Sequence, residues 1–195
     1  MTQDDLRTFL AASYGATMVA PLLAAYANQT YPVVNASITQ WYWVAERTIT
    51  DHQFACPTIL ATQWLTTRPT QSPANASLQS PPKGAAQEVY QYYFTDTDGA
   101  SFVGHGAEVE YVFNEEWRFT STSQQTQALQ FNDWWRSFIA GSAPTSDRCA
   151  SPSWPKGEGN QTYTIANGCQ QGVASNLKAV ECAVWEDYLV ASTQQ

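Results

Sequence analysis

Glu88-Val89-Tyr90-Gln91-Tyr92-Tyr93-Phe94 is the strongest strand pattern in a chain that otherwise reads as amphipathic helices, and this imbalance limits the folds open to it. Asp4-Asp5 precede Leu6, Phe9 and Leu10, as acidic residues precede the apolar face of a short helix. A second helix is expected over Pro21–Tyr26. A third is expected over Ile38–Thr48, with Ser37 as its N-cap and Trp41, Val44 and Ala45 on one face. Further helices are expected from Asp51 through Trp64, over Gln124–Ile139 and from Ala174 to Val190, and a short strand near Thr162–Ile165. Thr66–Lys83, rich in Pro, Ser, Thr, Asn and Gln, reads as an exposed loop. So many helices have only one or two strands to cover. Helices of this kind pack on the faces of a parallel sheet, so the expected class is α/β. Residues 1–195 would then form one incomplete domain whose other strands come from elsewhere.

Apolar material is ample, at 44% hydrophobic residues including eight tryptophans, so the chain can build a core. Trp134, Trp135 and Trp185 are expected in it. Nine basic against 17 acidic side chains give a net charge of −8, which argues against nucleic acid or an anionic membrane as partner. No apolar run is long enough for a membrane span, and Met1–Asp5 lacks the pattern of an export leader. Four N-x-[ST] motifs, at Asn28, Asn35, Asn75 and Asn160, and an even set of four cysteines nevertheless suit an oxidising, glycosylating compartment. The four cysteines allow three pairings.

Chemistry concentrates in Gly99-Ala100-Ser101-Phe102-Val103-Gly104-His105-Gly106-Ala107-Glu108. A histidine between two glycines, just past a strand, stands on backbone free to take positive φ, with room for reacting groups to approach. On spacing alone, a loop histidine of this kind is more often an ordinary surface residue than a general base. His52, the other histidine, follows Asp51 and could hydrogen-bond to it; two histidines assemble no metal cluster, and no metal is expected.

Gly104-His105-Gly106-Ala107-Glu108, followed by Tyr111-Val112-Phe113, resembles the histidine segment of the type-B carboxylesterase and cholinesterase family. Asp51-His52-Gln53-Phe54-Ala55-Cys56-Pro57, the strand Val89–Phe94, Trp134 to Pro144, Trp154-Pro155 and Cys182-Ala183-Val184-Trp185 agree in order and spacing. The resemblance implies the C-terminal part of an α/β-hydrolase. In such enzymes a serine attacks an ester carbonyl, a histidine takes its proton and a carboxylate orients the histidine, without a cofactor.

His105 matches the histidine. Glu108 matches a glutamate that supports it, with Gly104 and Gly106 as its frame. The G-x-S-x-G elbow of the nucleophile occurs nowhere in the 195 residues, and no acid stands in the family's context. By resemblance Cys56 pairs with Cys182, which leaves Cys149 to Cys169. The implied partner is a small-molecule ester, acted on by a secreted, extracellular full-length enzyme, and the chain alone is expected to be inactive. A cholinesterase-like binding or adhesion module, or a truncated gene product, stays open beside that reading. Phe102 and Phe113, the rings nearest His105 in sequence, are candidates to border a pocket.

Overall fold

A computed structural model describes residues 1–67, 88–97, 100, 102–156, 160–166 and 168–192, in two compact units. Met1–Ala61 with Lys178–Gln195 form the first, and Thr62–Leu177 the second.

The first unit is helical. α1 (Gln3–Tyr14) begins at Thr2, whose Oγ1 accepts from the Asp5 N–H at 3.2 Å while the Asp5 carboxylate accepts from the Thr2 N–H at 2.7 Å. This reciprocal cap gives Asp5, the second of the acidic pair read from the sequence, its role at the helix start. α2 (Val19–Tyr26) follows a short 3₁₀ turn. α3 spans Gln40–Thr50, so Ser37 is not its N-cap. The Ser37 N–H instead donates to Asn35 Oδ1 at 2.9 Å and the Ile38 N–H to the Asn35 carbonyl at 3.2 Å. That local turn delays the helix to a start at Thr39.

Asp51–Ala55 is a π-helical segment, which runs into α4 (Cys56–Thr67), one turn further than expected from the sequence. α7 (Ala179–Ser192) completes the unit. Leu6, Leu10, Leu22, Val44 and Trp185 form its core. Inside that core a polar chain runs from Trp185 Nε1, which donates to Tyr26 Oη at 2.8 Å, through the Tyr26 hydroxyl, which donates to Asp51 Oδ2 at 3.1 Å. Lys178 Nζ closes it, 2.7 Å from Asp51 Oδ1 and 2.9 Å from Oδ2. Asp51 is fully buried, so its charge is held by this pairing and not by water. The disulfide Cys56–Cys182 ties α4 to α7, as the resemblance implied.

The second unit carries a three-stranded sheet in the order β1-β2-β3. β1 (Tyr92–Phe94) lies parallel to β2 (Gln161–Ala166), and β2 pairs antiparallel with β3 (Gln170–Ser175). The expected strand Glu88–Phe94 is thus paired over its last three residues only. β2 begins at Gln161, level with Tyr90, and the Gln91 carbonyl accepts from the Tyr163 N–H at 3.0 Å, so Glu88 and Val89 lie before the start of β2.

β3 was not expected. Ala174 and Ser175 belong to it, and the last helix starts only at Ala179, because Asn176 and Lys178 at φ +55° turn the chain between strand and helix. α6 (Thr122–Ile139), capped reciprocally by Ser121 and Gln124, covers the sheet with Phe131 and Trp134. Trp154 stacks on Tyr163 at 4.5 Å, and Cys149–Cys169 closes the second disulfide. Trp134 and Trp185 are buried as expected, whereas Trp135 is 37% exposed, on the outer face of α6. One parallel strand pair covered by α6 is consistent with a partial α/β-hydrolase sheet, and among the described residues β1 is paired on one side only. No helix of the described residues is long and apolar enough to cross a membrane. Most of the expected loop Thr66–Lys83, with Asn75, lies outside the described residues.

Candidate functional site

His105 is carried on the connection from β1 to a short helix, α5 (Val109–Val112). Both ends of that connection are fixed. At β1 the Thr95 N–H donates to the Ile165 carbonyl at 2.7 Å, and its hydroxyl donates to the same oxygen at 3.0 Å. At α5, Tyr111 is buried against Phe94, Phe119 and Phe131, and Asn132 Nδ2 of α6 donates to the Val112 carbonyl at 3.3 Å. On the surface Arg118 holds Glu115 at 2.9 Å and Glu110 at 3.5 Å, which pins α5 to the following 3₁₀ turn. Glu110 is therefore half-buried and paired.

Between these anchors the chain forms successive turns, with the Ala107 N–H donating to the Gly104 carbonyl at 3.2 Å and the Val109 N–H to the Gly106 carbonyl at 3.0 Å. His105 is exposed within them. The two flanking glycines differ in role. Gly106 lies at φ +72°, a left-handed position that costs other residues roughly 1–2 kcal/mol. Gly104 does not take positive φ; a Cβ there would meet nothing within 4 Å, so its contribution is open space beside the histidine. Gly106→Ala is expected to destabilise the chain by about 1–2 kcal/mol in urea unfolding, because its Cβ would meet only Val109 Cγ2 at 3.6 Å and the effect is conformational. Gly104→Ala is expected to leave the unfolding midpoint unchanged.

Glu108 stands at the N-cap position of α5, half-buried, one turn after His105. Burial and, after it, the Glu108 charge push the Tyr92 hydroxyl of β1 up to about 12. The Glu108 carboxylate is thus felt at the strand that leads into the site. Phe102, Val103, Val109 and Phe113 are exposed around the same turn.

The other candidate residues are elsewhere. His52 belongs to the first unit, its ring 4.9 Å from Trp185, 5.2 Å from Tyr14 and 5.5 Å from Tyr188, and burial lowers its pKa. Asp51, its neighbour in sequence, is given over to Lys178 and Tyr26. The described residues contain no group of three or more His, Cys, Asp or Glu able to hold a metal. One polar concavity is lined by Asp133, Thr145, Ser146, Asp147 and Arg148, and is crossed by the Arg148–Asp133 ion pair at 2.7 Å. Neither Phe102 nor Phe113 lines it. Asp96, which bounds the strand in sequence, is buried just beyond β1.

The sequence profile of the carboxylesterase family matches residues 6–185. An acetylcholinesterase of Leptinotarsa decemlineata is 30% identical over 112 residues, which cover 52% of this chain and 17% of that relative's length. With the family matched over nearly all of its length, the chain belongs to the carboxylesterase family.

Proposed function

We propose that this chain is the histidine-bearing C-terminal part of a secreted serine carboxylesterase, and that His105 is the general acid/base of that enzyme. The observation that carries the proposal is the exposed His105 in its turn between β1 and α5, with open space at Gly104 and a left-handed Gly106, in a chain of this family. A serine supplied by residues other than these 195 attacks the carbonyl carbon of a small-molecule ester, and its hydroxyl proton passes to His105. The histidine then protonates the departing alcohol as the C–O bond breaks, leaving an acyl-serine. Water reverses the sequence, giving up its proton to His105 and releasing the carboxylic acid. An acid from outside the chain orients the imidazole. Glu108, at the start of α5 one turn after His105, is the carboxylate that supports the histidine in this reading. Two disulfides and the exposed Asn28 and Asn35 support an extracellular setting.

Alone, the chain lacks the covalent route, and an exposed histidine gives no positioning of substrate. The purified 195-residue chain and its His105→Ala variant are therefore both expected to hydrolyse a chromogenic ester no faster than buffer. Turnover above buffer that disappears with His105→Ala would contradict the proposal. A binding or adhesion module is weakened as an alternative by the Gly-His-Gly frame, which adhesion does not require.

A further inference from the structure

We propose that Asn28 and Asn35 are a pair of N-glycan acceptor sites on the connection between α2 and α3, and that β2 withholds the matching motif at Asn160. The inference rests on the reading of the chain as an exported one. The motifs at Asn28 and Asn160 are both Asn-Gln-Thr and that at Asn35 is Asn-Ala-Ser, yet the structure sets Asn160 apart from the other two.

In Asn28-Gln29-Thr30 the middle residue is the anchor. Its N–H donates to the Tyr26 carbonyl at 3.3 Å, and its Nε2 donates to Glu181 Oε1 at 2.7 Å and to the Ala25 carbonyl at 3.1 Å. Asn28 and Thr30, the two residues the motif requires, are both exposed on either side of that anchor. In Asn35-Ala36-Ser37 all three residues are exposed. The Ser37 N–H donates to Asn35 Oδ1 at 2.9 Å, a bond that uses the amide oxygen and not the nitrogen to be glycosylated, and that presents amide and hydroxyl on one tight turn.

Asn160 differs at each of these points. Its Oδ1 accepts from Gln63 Nε2 at 2.8 Å, its Nδ2 donates to Asn176 Oδ1 at 3.4 Å, and its carbonyl accepts from the Asn176 N–H at 2.9 Å. Thr162, which carries the hydroxyl of this motif, is 3% exposed within β2 and paired with Ala174 of β3. Where sugar transfer competes with folding, the first two motifs stay on the surface, whereas the third is drawn into a sheet as β2 pairs with β3.

The chain also has a use for the sugars. Val33, between the two sites, is 92% exposed and is followed by the exposed Val34, so a glycan on either side shields apolar surface that this connection leaves to water. In the transfer, the Asn Nδ2 attacks the anomeric carbon of an oligosaccharide carried on a lipid pyrophosphate. The N–C bond forms as the C–O bond to phosphate breaks, and the amide loses one proton as the lipid pyrophosphate leaves.

The test is to express the full 195-residue chain behind a cleavable export leader in cultured eukaryotic cells, then treat secreted and retained chain with peptide-N-glycosidase in heavy-oxygen water. Mass spectrometry of the peptides then marks each asparagine that carried sugar. The expected result is label at Asn28 and at Asn35 in the majority of molecules and at Asn160 in a minority or none. Asn28→Gln and Asn35→Gln should each remove one step of gel mobility shift. Label at Asn28 or Asn35 in only a minority of molecules, or at Asn160 in a majority, would overturn the proposal. Sugar transfer precedes export, so retained chain is scored by the same criterion. The added leader fixes the route and no ester hydrolysis is read, so the result judges these sites independently of the role of His105.

Discussion

Replacing Lys178 by methionine is expected to destabilise the first unit by about 3–5 kcal/mol at neutral pH, the usual cost of stripping one partner from a buried ion pair. The size follows from the setting of Asp51. Its side chain is fully buried, and its charge is met by the Lys178 ammonium on both carboxylate oxygens and by the Tyr26 hydroxyl. Desolvation nonetheless raises the Asp51 pKa above its ordinary value, opposed chiefly by Lys178. An acid with a raised folded pKa holds more protons folded than unfolded between the two pKa values. Its contribution to stability therefore falls as pH rises through that window and is recovered on acidification. Removing Lys178 removes the main opposition and extends the window upward. The deficit of Lys178→Met against the parent should thus be largest at neutral pH and shrink as pH falls through the raised Asp51 pKa. Urea midpoints of both proteins at neutral and mildly acid pH check this, and an equal deficit at both would count against it.

Replacing Cys56 and Cys182 together by alanine is expected to cost about 5 kcal/mol, the chain-entropy value for a bridge spanning 126 residues. Both cysteines are buried in the first core, so alanine leaves no unpaired polar group and the change reads the lost crosslink with a small packing loss. Since whole domains are stable by roughly 5–15 kcal/mol, the variant should unfold at far lower urea, or fail to fold, under non-reducing conditions. The bridge Cys149–Cys169 spans only 20 residues and sets the scale, because its removal should cost about 3 kcal/mol. A larger effect from the shorter loop would show that the two bridges do not act through chain entropy.

The helices were legible in sequence because each buries one face, and Leu6, Leu10 and Val44 fall where their periodicity put them. What misled were local hydrogen bonds and turns. Ser37 looked like a cap, but its N–H is bound to Asn35, and the helix waits for Thr39. Gln170–Ser175 has no β-rich pattern. It becomes a strand because Gly168 and Cys169, at φ +58° and +65°, fold it back on β2, and the Asn167-Gly168 pair was the available signal for that hairpin. Trp135 was assigned to the core by type, although Trp134 and Phe131 already supply the apolar contacts of α6.

At the candidate site, His105 was legible only through the family's segment, since a histidine between glycines is common on surfaces. Its anchoring by Tyr111 and Asn132 depends on α6, remote in sequence, and could not be read locally. Likewise the pairing of Asp51 with Lys178 joins residues 127 positions apart.

The central claim is that His105 moves the proton in serine ester hydrolysis. It is tested most directly by kcat/KM for ester hydrolysis in a polypeptide that joins these residues to the serine-bearing part of the enzyme, with and without His105→Ala. The account predicts a fall in rate of roughly a millionfold, as for loss of the histidine in other serine triads, with an unchanged urea midpoint. A variant that hydrolyses the ester within about tenfold of the parent, about 1.4 kcal/mol in the barrier, would contradict it.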